Sequence, residues 1–184
     1  AYYGLASDRN DGTATYATFS HTHRFQDNGE VKTQIRRGRY SRDQRSGAIR
    51  FAGTNASATN PLTNPAAVGL DNISGTTVLN RGTHNKIQDF DSLYVQSDLS
   101  RKFKGFGLKH ELQAGVHAAR EKKTVYAVLS AAQGGVNINK PQITLGTPDD
   151  GAWVDESSRV LDVNNRFTST GWGAYVRDLV QVAP

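Results

Sequence analysis

The sequence predicts an all-β chain. It reads as about five long strands of a transmembrane antiparallel β-barrel, in an up-and-down meander with two short periplasmic turns and two long extracellular loops. Three observations predict this. Apolar and polar residues alternate with a period of two over stretches of about a dozen residues. Short Gly- and Asn-containing turns join some of these stretches. Long Asn-, Thr-, Ala- and Gly-rich segments without periodicity join the others. A tilted strand needs about 9–11 residues to cross a bilayer, against about 5–6 for a mean strand in a soluble protein. Short turns alternating with long loops are a barrel habit, and compact soluble domains seldom carry loops so long.

Residues 1–12 lack alternation and end in Asp11-Gly12, so they read as the end of an outer loop. Thr13 to Gln26 alternates, with Ala17, Phe19, His21, His23 and Phe25 on one face and Tyr16, Thr18, Ser20, Thr22 and Arg24 on the other. Asp27-Asn28-Gly29 follows. A three-residue loop with Gly29 left-handed pairs Phe25 with Val31 and keeps the apolar residues matched. The returning strand, Glu30 to about Tyr40, sets Val31, Thr33 and Ile35 on the apolar side. Continued alternation puts Arg37 and Arg39 there too. A lipid-facing arginine costs about 2–4 kcal/mol at mid-bilayer and little at the interface. Either a bulge near Gly38 reverses the parity, or both arginines sit at the outer rim beside headgroup phosphates.

Residues 52–83, with Pro61 and Pro65, form the first long loop. The central hairpin spans Ser92 to Glu121. Leu93, Val95, Ser97, Leu99, Arg101 and Phe103 share a face in its first arm, and Leu108, His110, Leu112, Ala114, Val116 and Ala118 in its second. Gly105-Phe106 fits a two-residue type II′ turn, which pairs Lys104 with Gly107, Leu99 with Leu112, Ser97 with Ala114 and Val95 with Val116. A slip of one residue would set Leu99 opposite a polar residue. Residues 122–165 are the second long connection, in which Thr124 to Leu129 can continue the strand and Gly146 to Gly151 carries turn chemistry. Arg166 to Val182 reads as a fifth strand with Trp172, Ala174, Val176, Val180 and Val182 on one face, broken by Asp178. Ala183-Pro184 would open the next short turn.

Composition bounds the rest. The chain has 184 residues, no Cys and no Met, and begins at Ala1, so it is expected to be a piece of a longer product. Without Cys, disulfide scaffolds and Cys-ligated metals are excluded. No apolar run approaches the roughly 20 residues of a membrane helix, and barrels need none. The net charge of +5 comes with acidic residues interspersed throughout, and no basic helix or RNP-like motif accompanies it, so nucleic acid is not expected as a partner.

The run Gln96-Ser97-Asp98-Leu99-Ser100, then Phe103, Gly107-Leu108-Lys109-His110, Leu112, Gly115 and Arg120-Glu121 resembles a mid-barrel hairpin of TonB-dependent siderophore receptors. Tyr2-Tyr3-Gly4-Leu5 through Ser20-His21-Thr22-His23-Arg24-Phe25, and Gly173-Ala174-Tyr175-Val176-Arg177-Asp178, resemble the same family. The resemblance implies a plugged barrel of about 22 strands in the bacterial outer membrane. All of residues 1–184 would belong to that barrel, with the plug and remaining strands outside this sequence. It implies uptake of a ferric siderophore energised through the TonB complex, with outer-membrane lipid around the barrel and no covalently bound cofactor. The rival readings are a passive porin-like barrel or adhesin, and a soluble β-sheet binding module. Cut from its parent, the sheet is expected to have two unpaired edges and no packed core on either face.

Tyr16 paired with Tyr40, and Tyr94 with His117, fall on the water face; Tyr2, Tyr3 and Trp153 lie in loops on the outer side. These seven are the candidate ligand contacts, through stacking and charge. The alternative is that they fill the barrel interior or pack on one another. No catalytic residue is assigned: Ser20, His21 and Asp27 resemble a hydrolase set on paper, but Ser20 and His21 point to opposite faces. No metal site is assigned either. His21 and His23 lack a third ligand, and Asp89, Asp91, Asp149 and Asp150 read as solvated loop or rim charges.

Overall fold

The computed structural model describes residues 1–182, so the expectation for Ala183-Pro184 lies outside the described residues. Five long strands and one short one make an antiparallel meander: β1 Arg9–Arg24, β2 Gly29–Phe51, β3 Val78–Gly105, β4 Leu108–Val128, β5 Ile143–Thr144 and β6 Leu161–Gln181. The sheet order is β1-β2-β3-β4-β6, so β1 and β6 are its edges. The short β5 pairs with the start of β3, Val78 opposite Thr144 and Leu79 opposite Ile143. Helix among the described residues amounts to one 3-10 turn, Ala131–Gln133.

Every long strand outruns its apolar stretch. β1 starts at Arg9 rather than Thr13, β2 reaches Phe51 rather than Tyr40, and β6 starts at Leu161 rather than Arg166. β3 starts at Val78, inside the segment read as loop, while β4 continues to Val128 as expected. The reason is physical. Where both faces of a strand meet polar surroundings, no alternation of hydrophobicity marks it, and Ser41-Arg42-Asp43-Gln44-Arg45 is extended with no apolar residue at all. The long connections shrink to residues 52–77 and 129–160.

Both tight turns are one step away from their predicted positions. The β3–β4 turn is Phe106-Gly107, not Gly105-Phe106. With φ of 52° and 78° it is the type I′ class rather than II′. Gly105 then faces Leu108, and the hairpin slides by two residues: Leu99 comes opposite Ala114 instead of Leu112. A slide of two preserves parity, so every residue keeps its face. In the β1–β2 turn Asn28 takes the left-handed conformation, φ 61°, in place of Gly29. The loop is still three residues, Gln26-Asp27-Asn28, because Phe25 N–H donates to Gly29 O at 2.7 Å. The ion pair Arg24 to Glu30, 2.9 Å, fits this register.

The chain divides into two compact units. The loop unit comprises residues 1–12, 42–88 and 125–165; the strand unit comprises 13–41, 89–124 and the chain from Arg166 onward. Both long connections belong to the first and both tight turns to the second. All the buried apolar side chains among the described residues, Leu5, Ala52, Val78, Leu79, Ile87 and Ile143, are in the loop unit. The absence of a packed core therefore holds for the strand unit and is corrected for the loop unit.

Candidate functional site

The strand unit has two chemically distinct faces, fixed by its registers. Between β2 and β3, the Thr33 and Ser97 hydroxyls meet at 3.0 Å, Arg39 and Asp91 at 3.4 Å, and the Tyr40 and Phe90 rings at 6.0 Å. All three contacts fit one register, so no bulge interrupts β2 near Gly38. Arg37 and Arg39 stay on the apolar face, and Asp91 answers Arg39. Between β3 and β4, stacking of Phe103 on His110 at 4.9 Å and the Lys102 to Glu111 contact at 3.5 Å confirm the register set by the turn.

Asp178, which interrupts the apolar face of β6, also has a partner there. His110 Nδ1 donates to Asp178 Oδ2 at 2.7 Å, while His110 Nε2 lies 3.2 Å from Gly105 O. Arg101 pairs with Asp27 at 2.5 Å beside the turns. Three charged pairs on this face thus lie toward its two ends, with Leu93, Val95, Ser97 and Leu99 of β3 between Asp91 and Arg101. The interval from Asp91 to Arg101 is about ten rises of 3.3 Å; tilted by about 45°, it covers about 23 Å, against about 25 Å for the apolar band of a membrane barrel.

The opposite face carries a lateral row of aromatic and cationic side chains. Tyr16 of β1 lies under the Arg36 guanidinium, 4.6 Å from Cζ to the ring centroid. The β2–β3 register sets Arg36 opposite Tyr94. The Tyr94 and His117 rings still stack at 6.2 Å, but diagonally, since the slide of two residues sets Tyr94 opposite Ala119 rather than His117. Beside this row runs a hydrogen-bond chain: Tyr94 OH donates to Gln96 Oε1 at 2.7 Å, Gln96 Nε2 donates to both Asp98 oxygens at 2.8 and 3.0 Å, and Tyr175 OH donates to Asp98 Oδ1 at 3.0 Å. Two glycines make the room. A Cβ on Gly115 would collide with Tyr175 and Asp98, and one on Gly173 would come within 2.6 Å of His117 Cε1. Tyr40 is not the partner of Tyr16. It folds over Gly38 of its own strand and leans toward Phe90. Arg36, Gln96, Asp98 and Tyr175 were missed as site residues, although they share the parity of the tyrosines.

The other three candidates lie in the loop unit and are not equivalent. Tyr3 OH donates to Leu145 O at 2.8 Å, so it ties the connection down. Tyr2 OH donates to Asp8 at 2.9 Å, and partial burial together with that carboxylate raises its pKa. Trp153 is 65% exposed and lines a cleft of about 590 Å³ with Arg9, Arg45, Asp155, Glu156 and Arg159. The cations of this cleft are largely committed. Arg9 and Arg159 converge on Asp43, and Arg45 bonds Glu156 at 3.1 Å. Hydrogen bonds from Arg159, aided by Arg9 and opposed by partial burial, hold the Asp43 carboxyl down at about 2.

Among the described residues no three His, Asp or Glu side chains converge as metal ligands. His23 packs edge-on against Phe25 at 4.6 Å, Asp91 faces Arg39, and Asp150 bonds Arg81 at 2.6 Å.

A sheet of long antiparallel strands with one apolar face and one polar face has the fold of a membrane-spanning β-barrel wall, and the solved structures it resembles share that fold. Part of the chain is similar in sequence to the catecholate siderophore receptor Fiu. It is 28% identical over 144 residues to that of Escherichia coli O6:H1 (strain CFT073) and 27% identical over 144 residues to that of strain K12. These matches take in 78% of the chain and 18% of each relative, so the chain spans under a fifth of the proteins it matches. The crystal structure of the ferric-catecholate import receptor Fiu from E. coli K12 in its closed form superposes with a TM-score of 0.71 at 23% identity, over 100% of this chain and 23% of that one. The open form gives 0.70 at 22% identity, over 100% and 25%. No family model matches the chain.

Proposed function

We infer that the chain is a stretch of barrel wall in an outer-membrane receptor that takes up a ferric catecholate siderophore, with energy supplied through TonB contacts made by other parts of the full-length protein. The plug and the remaining strands belong to those other parts. The observation that carries the reading is the row Tyr16, Arg36, Tyr94 and His117 on the wet face of a membrane-crossing sheet. A ferric catecholate complex presents planar aromatic catecholate rings and bears negative charge. Ring faces backed by a guanidinium complement both properties. The role is binding and passage, not catalysis. Tyr2, Tyr3 and Tyr40 serve structure on this reading, and Trp153 is the outer-side contact.

Uptake of radiolabelled iron as its catecholate complex tests it in the full-length protein. Arg36→Ala and Tyr94→Ala are each expected to weaken binding about two- to thirtyfold, the range of about 0.5–2 kcal/mol for a cation–π or stacking contact. Removal of TonB should abolish uptake. Uptake that persists without TonB would identify a passive barrel instead.

A further inference from the structure

We propose that the apolar face carries, at the edge away from the tight turns, a binding site for the phosphate groups of a phosphorylated membrane lipid. The starting observation is a group of cations with no partners. In the registers described above, two rows cross the neighbouring strands β2, β3 and β4. One holds Arg37, Leu93 and Arg120; the next holds Arg39, Asp91 and Lys122. Arg37, Arg120 and Lys122 are exposed, and among the described residues no ion pair engages any of them. Arg39 is already spent on Asp91, which neutralises the one carboxylate of the two rows. The rows lie where the band of Leu93, Val95, Ser97 and Leu99 ends.

An arginine in contact with lipid is tolerated only where headgroups begin, since its cost falls from about 2–4 kcal/mol at the midplane to about 0–1 at the interface. Arg37 and Arg120 flank Leu93 from both sides, about two strand spacings or 10 Å apart. A phosphate resting over Leu93 lies within reach of both guanidiniums, each offering a planar fork of N–H donors suited to two phosphate oxygens. Lys122 adds a point charge in the next row. Acyl chains continuing from that phosphate would run down exposed apolar side chains: Leu93 is 43% and Val116 57% exposed. A free phosphate would use the cations and leave this apolar band unused, so the occupant is a lipid.

The test reads lipid retention by native mass spectrometry on the full-length protein carrying this chain. The protein is loaded with lipid A, which bears two phosphates, with the same glycolipid after phosphate removal, or with inorganic phosphate alone. Retention of lipid A but neither of the others is expected. Arg37→Gln with Arg120→Gln should lower lipid A retention about tenfold or more. Lys32→Gln with Lys109→Gln, which removes the same charge from the opposite face, should leave it unchanged. Should the double variant fail to fold by circular dichroism, each single variant is expected to lower retention about threefold. Undiminished retention in the arginine variants, equal loss in the lysine control, or equal retention of the dephosphorylated glycolipid would each overturn the site. Iron uptake is measured on the same variants, so loss of lipid with transport intact leaves the transport reading standing.

Discussion

The loop unit and the strand unit obtain their order from opposite sources. Among the described residues of the strand unit no apolar side chain is buried, and its side-chain contacts run flat across neighbouring strands. On the proposed reading one of its faces meets lipid, so apolar residues there need no protein cover. The loop unit instead builds an interior, with only six buried apolar residues. Polar clamps complete it. The Arg81 side chain has 0% exposure and donates to Tyr3 O at 2.8 Å, Pro141 O at 3.2 Å and Asp150 at 2.6 Å. Arg45 and Lys140 share Glu156, all three nearly inaccessible. The lesson is that a connection outside the membrane can be rigid without a conventional hydrophobic core, provided each buried charge is paired.

The sharpest way to break this contrast is Arg81→Ala. It strands two carbonyls and the Asp150 carboxylate at once. Breaking a buried pair costs about 3–5 kcal/mol, and the partial exposure of Asp150 places this one near 3. Limited proteolysis of the barrel in detergent should then cut within residues 1–8 and 140–152, while the strand unit stays protected. Protection of both regions would mean that the clamp is dispensable.

Asn64→Ala is next. Its amide acts as an added rung between the ends of the 52–77 connection: Nδ2 donates to Ala52 O at 2.8 Å and Val78 O at 3.0 Å, and Val78 N–H donates to Oδ1 at 2.8 Å. Losing these bonds in a buried setting costs about 2 kcal/mol. Hydrogen exchange at the Val78 amide should quicken about thirtyfold, with the β3–β4 turn unaffected.

This division also explains what could be read from the sequence. The strand unit was legible because an apolar face opposite a polar one imposes a period of two, and parity survives even when a turn is misplaced by one residue. Leu99 and Leu112 kept their faces although they are not opposite one another. The strand extensions were illegible because Asp43, Arg45 and Arg81 follow no hydrophobic period. Asp178 looked like an error in the pattern only because its partner, His110, is distant in sequence. The wet-face row was half visible: its tyrosines drew notice as aromatics, whereas Arg36 and Asp98 are ordinary lumen charges until the registers bring them alongside.

A smaller effect comes from acid. Hydrogen bonds from Arg159 and Arg9 depress the Asp43 carboxyl from 3.8 to about 2. A depressed folded-state pKa contributes stability that is complete above the ordinary value and lost as pH falls through the lowered one. Resistance of the loop unit to pepsin should therefore hold from neutral pH down to about 4 and decline toward pH 2. Asp150, lowered by its bond from Arg81, titrates in the same sense. Asp43→Asn separates the two, since it should weaken the Arg9 and Arg159 anchorage at neutral pH and flatten the acid response that remains to Asp43.

The smallest effect concerns the strand unit, where stability comes from pairing rather than burial, so turn geometry should count directly. Phe106 has φ 52° and is fully exposed, 103% relative to the free residue. A bulky side chain in the left-handed region costs about 1–2 kcal/mol, and Asn largely escapes this cost. Phe106→Asn creates the Asn-Gly pair that a type I′ turn favours. It should stabilise the hairpin by about 1 kcal/mol, seen as slower hydrogen exchange at Phe103 and His110 with no change in the loop unit. A destabilised hairpin would show that the exposed Phe106 ring is anchored outside the chain, in the interfacial zone of the membrane, and that burial contributes to the strand unit after all.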